Sequence, residues 1–116
     1  MNGRALKEFK MGEDLKNKVE QQVKDNKIMI YMKGTPDFPQ CGFSAQAVRV
    51  LQTLGQPIAA VNVLEDDPLW DALEQYTQWP TVPQIFINGE FIGGCDIVTE
   101  LYERGELSKI AAGEKA

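Results

Sequence analysis

Two cysteines and no histidine limit the chemistry open to this 116-residue chain. Without histidine there is no His-ligated zinc site, no Ser-His or Cys-His nucleophile system and no ordinary general base. Two cysteines cannot complete a four-cysteine metal site within one chain, so thiol chemistry, or a metal site shared between chains, is what is left. Cys41 opens the run Cys41-Gly42-Phe43-Ser44, where a proline-rich loop meets a helix start directly after a buried strand. A helix start offers unpaired N–H groups and the positive end of the helix dipole, and both favour the thiolate, the form that attacks and that binds metals. Lys33 adds positive charge across the loop. The plain alternative is Cys41 as a small buried hydrophobe, but its place at a loop-to-helix junction favours the reactive role. Ser44 stands where a C-x-x-C motif has its second thiol, and a hydroxyl cannot close that disulfide. A mixed disulfide on Cys41 must therefore be released by an outside thiol or by the distant Cys95.

Two further stretches could bind what Cys41 acts on. In Thr81-Val82-Pro83 a proline stands just before a strand, a candidate cis bond. If the Val82–Pro83 bond is cis, the Val82 backbone can turn outward and pair with an extended peptide; otherwise the proline simply opens the strand. In Gly93-Gly94-Cys95-Asp96 the glycines permit close backbone approach, and Asp96 is expected to cap the following helix. N–H groups there can receive a carboxylate and Asp96 an ammonium, so a zwitterionic amino-acid head would match both. Cys95 is open to three roles: packing with backbone contact, which is favoured, a second redox thiol, or a disulfide partner of Cys41.

The elements that must hold these residues follow from periodicity. Leu15, Val19 and Val23 mark a helix from about Glu13 to Asp25, and the apolar run Ile28–Met32 marks a strand buried on both faces. Ala47, Val48, Leu51 and Leu54 mark a second helix, and a strand is expected from Ile58 to Leu64. Asp66-Asp67-Pro68 opens a third helix, and Asn88-Gly89 is the favoured pair for a hairpin turn between two more strands. A last helix carries Val98, Leu101 and Tyr102, with a short helical piece near Leu107–Ile110. A βαβ unit followed by a hairpin and a helix predicts an α/β fold of thioredoxin-like topology, a mixed four-stranded sheet flanked by helices. The domain is expected over residues 13–112, with 1–12 a flexible extension and 113–116 a frayed tail. Seventeen acidic against twelve basic residues give a net charge of -5, which argues against nucleic acid as partner. No apolar run approaches a membrane span and no targeting signal is visible. So few cysteines fit a reducing compartment, read here as the cytoplasm.

Taken together, YMKGTPDFPQCGFS (Tyr31–Ser44), WPTVPQIFINGEFIGGCDI (Trp79–Ile97) and the Asp67-Pro68 helix start resemble the monothiol glutaredoxins of the CGFS type. The resemblance covers about residues 13–111. It implies glutathione as ligand, with Cys41 bonding its sulfur or an iron and Phe43 beside it. Lys33 would attend to the thiolate and a carboxylate, Val82 between Thr81 and Pro83 would pair with the tripeptide backbone, and Gly94, Cys95 and Asp96 would hold the γ-glutamyl head. It also implies a [2Fe-2S] cluster bridging two subunits, each giving one Cys41 and one glutathione: a homodimer when loaded, a monomer as apoprotein. BolA-like proteins and iron–sulfur apoproteins are the implied partners. One departure stands out. The family's usual basic residue on the Asp-Pro helix is absent between Asp66 and Tyr76, leaving Trp70, Asp71 and Gln75, so Lys33 would hold the glycine carboxylate with Gln75 as a neutral donor. Ser44 and the Thr35–Gln40 stretch, which lengthens the loop before Cys41, favour an iron–sulfur carrier. The alternatives are a glutathione-dependent thiol–disulfide oxidoreductase working through Cys41 alone, and a non-catalytic adaptor for BolA-like partners.

Overall fold

The computed structural model describes the backbone of residues 3–113 and the side chains of residues 12–113. Along the chain run α1 (Gly3–Asp25), β1 (Ile28–Met32), α2 (Gly42–Gln52), β2 (Ala59–Asn62), α3 (Asp67–Thr77), β3 (Gln84–Ile87), β4 (Glu90–Gly93), α4 (Cys95–Glu103) and α5 (Leu107–Ala111). The four strands form one mixed sheet in the order β2-β1-β3-β4. β1 pairs parallel with β2 and antiparallel with β3, and β3 pairs antiparallel with β4. This is the thioredoxin-like arrangement expected from the element order. No helix among the described residues is long and apolar enough to cross a membrane.

Every residue of β1 is buried because helices cover both faces of the sheet. Ile28, Ile30 and Met32 face one cluster with Val48, Leu51, Ile85, Ile87 and Val98, under α2 and α4. Met29 and Tyr31 face the other with Val19, Val23, Leu69, Leu73 and Phe86, under α1 and α3. The Tyr31 hydroxyl donates to Gln22 Oε1 at 2.8 Å, which satisfies the one polar atom this ring carries into the core. Asp66 caps α3, its Oδ1 accepting the Leu69 N–H at 3.1 Å. Asn88 and Gly89 turn the hairpin with φ of 53° and 82°, as its tight turn requires.

Two expectations shift. The helix expected from Glu13 runs back to Gly3, into the segment expected to be a flexible extension; residues 4–11 are good helix formers without proline, so nothing stops it there. Of the tail expected to fray, residues 114–116 lie outside the described residues. The second strand ends at Asn62 rather than Leu64, because Asn62 Oδ1 accepts the Leu64 N–H at 3.1 Å and turns the chain into a short 3-10 helix, Val63–Glu65.

Candidate functional site

Cys41 is the N-cap residue of α2, in extended conformation and half-buried. The loop that delivers it folds back on itself. Gly34 bridges to Pro39, the Gln40 N–H reaches the Lys33 carbonyl at 2.9 Å, and Thr35 and Phe38 exchange backbone bonds at the tip. Gly34 sits at φ +89°, where a Cβ would come within 2.5 Å of the Phe38 carbonyl, so only glycine fits. From across the sheet, Asn62 Oδ1 accepts the Gly34 N–H at 2.9 Å. Sequence reasoning missed this anchor, since an asparagine at a strand end has many ordinary uses.

The Cys41 thiol is held below the ordinary thiol range. The largest cause is the backbone N–H of Ser44. Partial desolvation opposes it, and the Phe43 N–H, the Ser44 hydroxyl and the charge of Lys33 add to the lowering. Helix-start amides thus outweigh the nearby lysine. Ser44 is fully buried, and its Oγ accepts the Lys33 N–H at 3.2 Å, which leaves its own proton free for the Cys41 sulfur. The residue that cannot resolve a disulfide therefore helps hold the thiolate.

Cys95 is the first residue of α4 and is nearly buried; both cysteines are free thiols. Burial pushes its thiol up, against a contact with Thr99 Oγ1 at 3.9 Å, and the nearby Asp96 and Cys41 push it further. Asp96 does not cap α4 as expected. Gly94 takes the N-cap position without a side-chain cap, and Asp96 lies inside the first turn. The carboxylate is thereby left to face the cavity.

That cavity has a volume of about 430 Å³ and brings together Lys33, Cys41, Phe43, Thr81, Val82 and Pro83. Gly94, Cys95 and Asp96 close its far side, and Trp70 and Trp79 are walls. The Val82–Pro83 bond is cis. Among the described residues the Val82 backbone has no hydrogen-bond partner, so its N–H and carbonyl are available to a ligand. Gln75 is not part of the lining. It is exposed, five residues beyond Trp70 and therefore turned well round the helix from it. Lys33 takes up another neighbour: its Nζ lies 5.7 Å from the centroid of the Trp70 ring.

Two contributors lacked an assigned role at the level of sequence. Gln84, fully buried, donates its Nε2 to the carbonyls of Trp79 at 2.9 Å and Thr81 at 3.0 Å, fixing the loop that presents Val82. Its signal was a lone amide inside an otherwise apolar strand. Trp70 was visible only as an aromatic without a task. A second cavity, about 590 Å³, lies between α2 and α4 beside Gln46, Arg49 and Glu103, and shares Cys41, Phe43, Cys95 and Asp96 with the first.

Comparison with known proteins agrees with this geometry. A glutaredoxin family model matches residues 28–92. The chain is 56% identical over 97 residues to monothiol glutaredoxin-S15, mitochondrial, of Arabidopsis thaliana, covering 84% of this chain but only 57% of that relative. It is 47% identical over 93 residues to glutaredoxin 4 of Escherichia coli (strain K12), covering 80% of this chain and 81% of the relative. Among solved structures, reduced apo GrxS14 of poplar superposes with a TM-score of 0.75 at 46% identity, over 85% of this chain and 91% of that one. A buckwheat glutaredoxin–glutathione complex superposes with a TM-score of 0.80 at 27% identity, over 90% and 93%. With Cys41-Gly42-Phe43-Ser44 at its thiol site, the chain belongs to the glutaredoxin family, in its monothiol class.

Proposed function

We propose that the chain binds glutathione in the cavity beside Cys41 and acts as a carrier of a [2Fe-2S] cluster held between two subunits. The observation that carries this is the pairing of one partly exposed, thiolate-favouring Cys41 with a fully buried Ser44 where a second thiol would otherwise stand. The lining suits the tripeptide: Asp96 for the γ-glutamyl ammonium, the α4 amides for its carboxylate, the Val82 backbone for the middle peptide, and Lys33 for the glycine carboxylate. Thr81, Pro83, Gly94 and Cys95 complete the walls, and Phe43 is 64% exposed beside the thiol.

The donor set fits a shared cluster. Among the described residues no group of three or more His, Cys, Asp or Glu gathers to hold a metal ion, and one chain presents one reactive thiolate at its surface. Two chains and two glutathiones supply the four thiolates that such a cluster requires. The cluster, when bound, is cargo of iron and sulfide for apoproteins. Cys41 is its protein ligand, the helix-start amides favour the thiolate form of that sulfur, and the glutathione cavity holds the external thiol beside it. The loaded form is then a homodimer and the apoprotein a monomer. The exposed Phe43, which lines the cavity with the thiol, and the exposed Phe38 at the tip of the preceding loop are where a BolA-like partner or a recipient apoprotein would dock. Two free thiols suit a reducing compartment, which we place in the cytoplasm.

A second reading is favoured by the lowered Cys41 thiol. The Cys41 thiolate attacks the glutathione sulfur of a protein mixed disulfide and releases the protein thiolate, which takes a proton. A second glutathione thiolate then attacks Cys41–glutathione, releasing glutathione disulfide and restoring Cys41. Anaerobic reconstitution with iron, sulfide and glutathione tests both. The carrier reading expects a coloured dimer with about two irons per pair of chains, lost in Cys41→Ser and kept in Cys95→Ser. A colourless monomer that rapidly reduces glutathione mixed disulfides would establish the second reading and sink the first.

A further inference from the structure

Among the described residues, Lys33 is the only lysine or arginine lining the glutathione cavity, and its ammonium lies 5.7 Å from the centroid of the Trp70 ring. Trp70 is itself set by packing against the cluster that contains Leu69, Leu73 and Val82. Its Nε1 is buried without an acceptor, so what the ring offers the cavity is its π-face. A lysine side chain is otherwise a flexible stem with several rotamers, each of which must be given up when the ammonium pairs with a ligand. A ring beneath it removes part of that freedom beforehand and leaves the N–H bonds on the far side free for a carboxylate.

We infer that Trp70 is a positioning residue: it holds Lys33 as the single cation that selects a ligand with a free carboxylate at the end opposite the γ-glutamyl head. This rests on the glutathione assignment above. The substrate class it defines is thiol peptides with an ionised C-terminus, read by one point charge rather than by a guanidinium fork. Removing the ring returns Lys33 to its rotamers, so binding of the acid weakens while binding of a neutral analogue is unchanged.

Calorimetry with S-methylglutathione and its C-terminal amide, neither of which can react with Cys41, measures the selection. In the wild type the acid is expected to bind about 10-fold more tightly than the amide, as for a charge-assisted hydrogen bond. Trp70→Leu should narrow this ratio by about 3-fold, the worth of an exposed cation–π contact, and Trp70→Tyr should retain it. Lys33→Met should abolish the ratio, and adding Trp70→Leu to it should change nothing further. Site-specific fluorinated tryptophan at position 70 weakens the ring's negative face without altering its shape, and the ratio should fall stepwise with fluorine number. That series holds the inference open to refutation even if Trp70→Leu folds poorly. Equal weakening of both ligands in Trp70→Leu would mean that the ring touches the peptide directly, and would overturn the inference, as would a ratio unmoved by fluorination. A wild type that binds neither ligand overturns the glutathione assignment and this inference together; wild-type binding with an unmoved ratio overturns this inference alone.

Discussion

Asn62 Oδ1 accepts the Gly34 N–H at 2.9 Å, joining the end of β2 to the loop that delivers Cys41 across 28 residues of sequence. The same oxygen also takes the Leu64 N–H at 3.1 Å. Asn62→Ala leaves two backbone donors to find water, and is expected to cost about 1–3 kcal/mol in denaturant unfolding. It should also slow alkylation of Cys41, because the loop is no longer pinned at its first turn. Unchanged stability and unchanged alkylation would refute the anchoring role.

The two thiols are shifted in opposite directions by different causes. Helix-start amides, Ser44 foremost, lower the Cys41 thiol, and burial raises that of Cys95. In a pH series with iodoacetamide, Cys41 should reach half its maximal rate below the ordinary thiol range and Cys95 above it. Peptide mass spectrometry separates the two sites. Ser44→Ala removes one of the causes and should move the Cys41 midpoint upward without moving that of Cys95.

Gln84 holds the Val82 loop through two carbonyls while its own Oε1 is buried without a partner. Gln84→Met relieves that oxygen but frees the loop. Stability should therefore change by only about 1 kcal/mol, since the lost bonds and the relieved atom oppose each other. Affinity for S-methylglutathione should fall several-fold, which calorimetry reads directly. A large loss of stability with intact affinity would mean that Gln84 serves the core and not the site.

Tyr31 is wholly buried, and desolvation, with a smaller effect of Tyr76, raises its hydroxyl far above the ordinary tyrosine range. A group whose pKa is raised on folding gives stability that is fully present below its unfolded value and is lost as pH climbs towards the folded one. Stability should thus begin to fall above about pH 10, the value of a free tyrosine. Tyr31→Phe should flatten that alkaline fall in melting curves while costing about 1 kcal/mol at neutral pH through the lost bond to Gln22. An alkaline fall as steep as in the wild type would assign it to another group.

What the sequence makes legible is whatever a residue does with its near neighbours. Asp66 caps the helix it precedes, Asn88-Gly89 turns the hairpin around itself, and the apolar run of β1 states its double burial directly. Cys41 belongs to this group, since a helix start is a local fact. The misplaced features depend on distant partners or on choices between equivalent neighbours. Asp96, expected as the cap, falls inside the first turn because α4 already starts at Cys95 with Gly94 before it. Asn62 meets Gly34 and Trp70 meets Lys33 only because the parallel crossover brings the ends of β1 and β2 and the start of α3 together. Gln75 suggests itself by its type, a donor on the appropriate helix, whereas the helical turn directs it to solvent.

Cys41 and Phe43 stand on the ridge between two cavities, one walled by the tryptophans and the other opening between α2 and α4. The two share Cys41, Phe43, Cys95 and Asp96, so one sulfur faces two approaches. Under the proposed reading, a tripeptide in the first cavity and a second thiol or protein entering from between α2 and α4 would meet at the same atom.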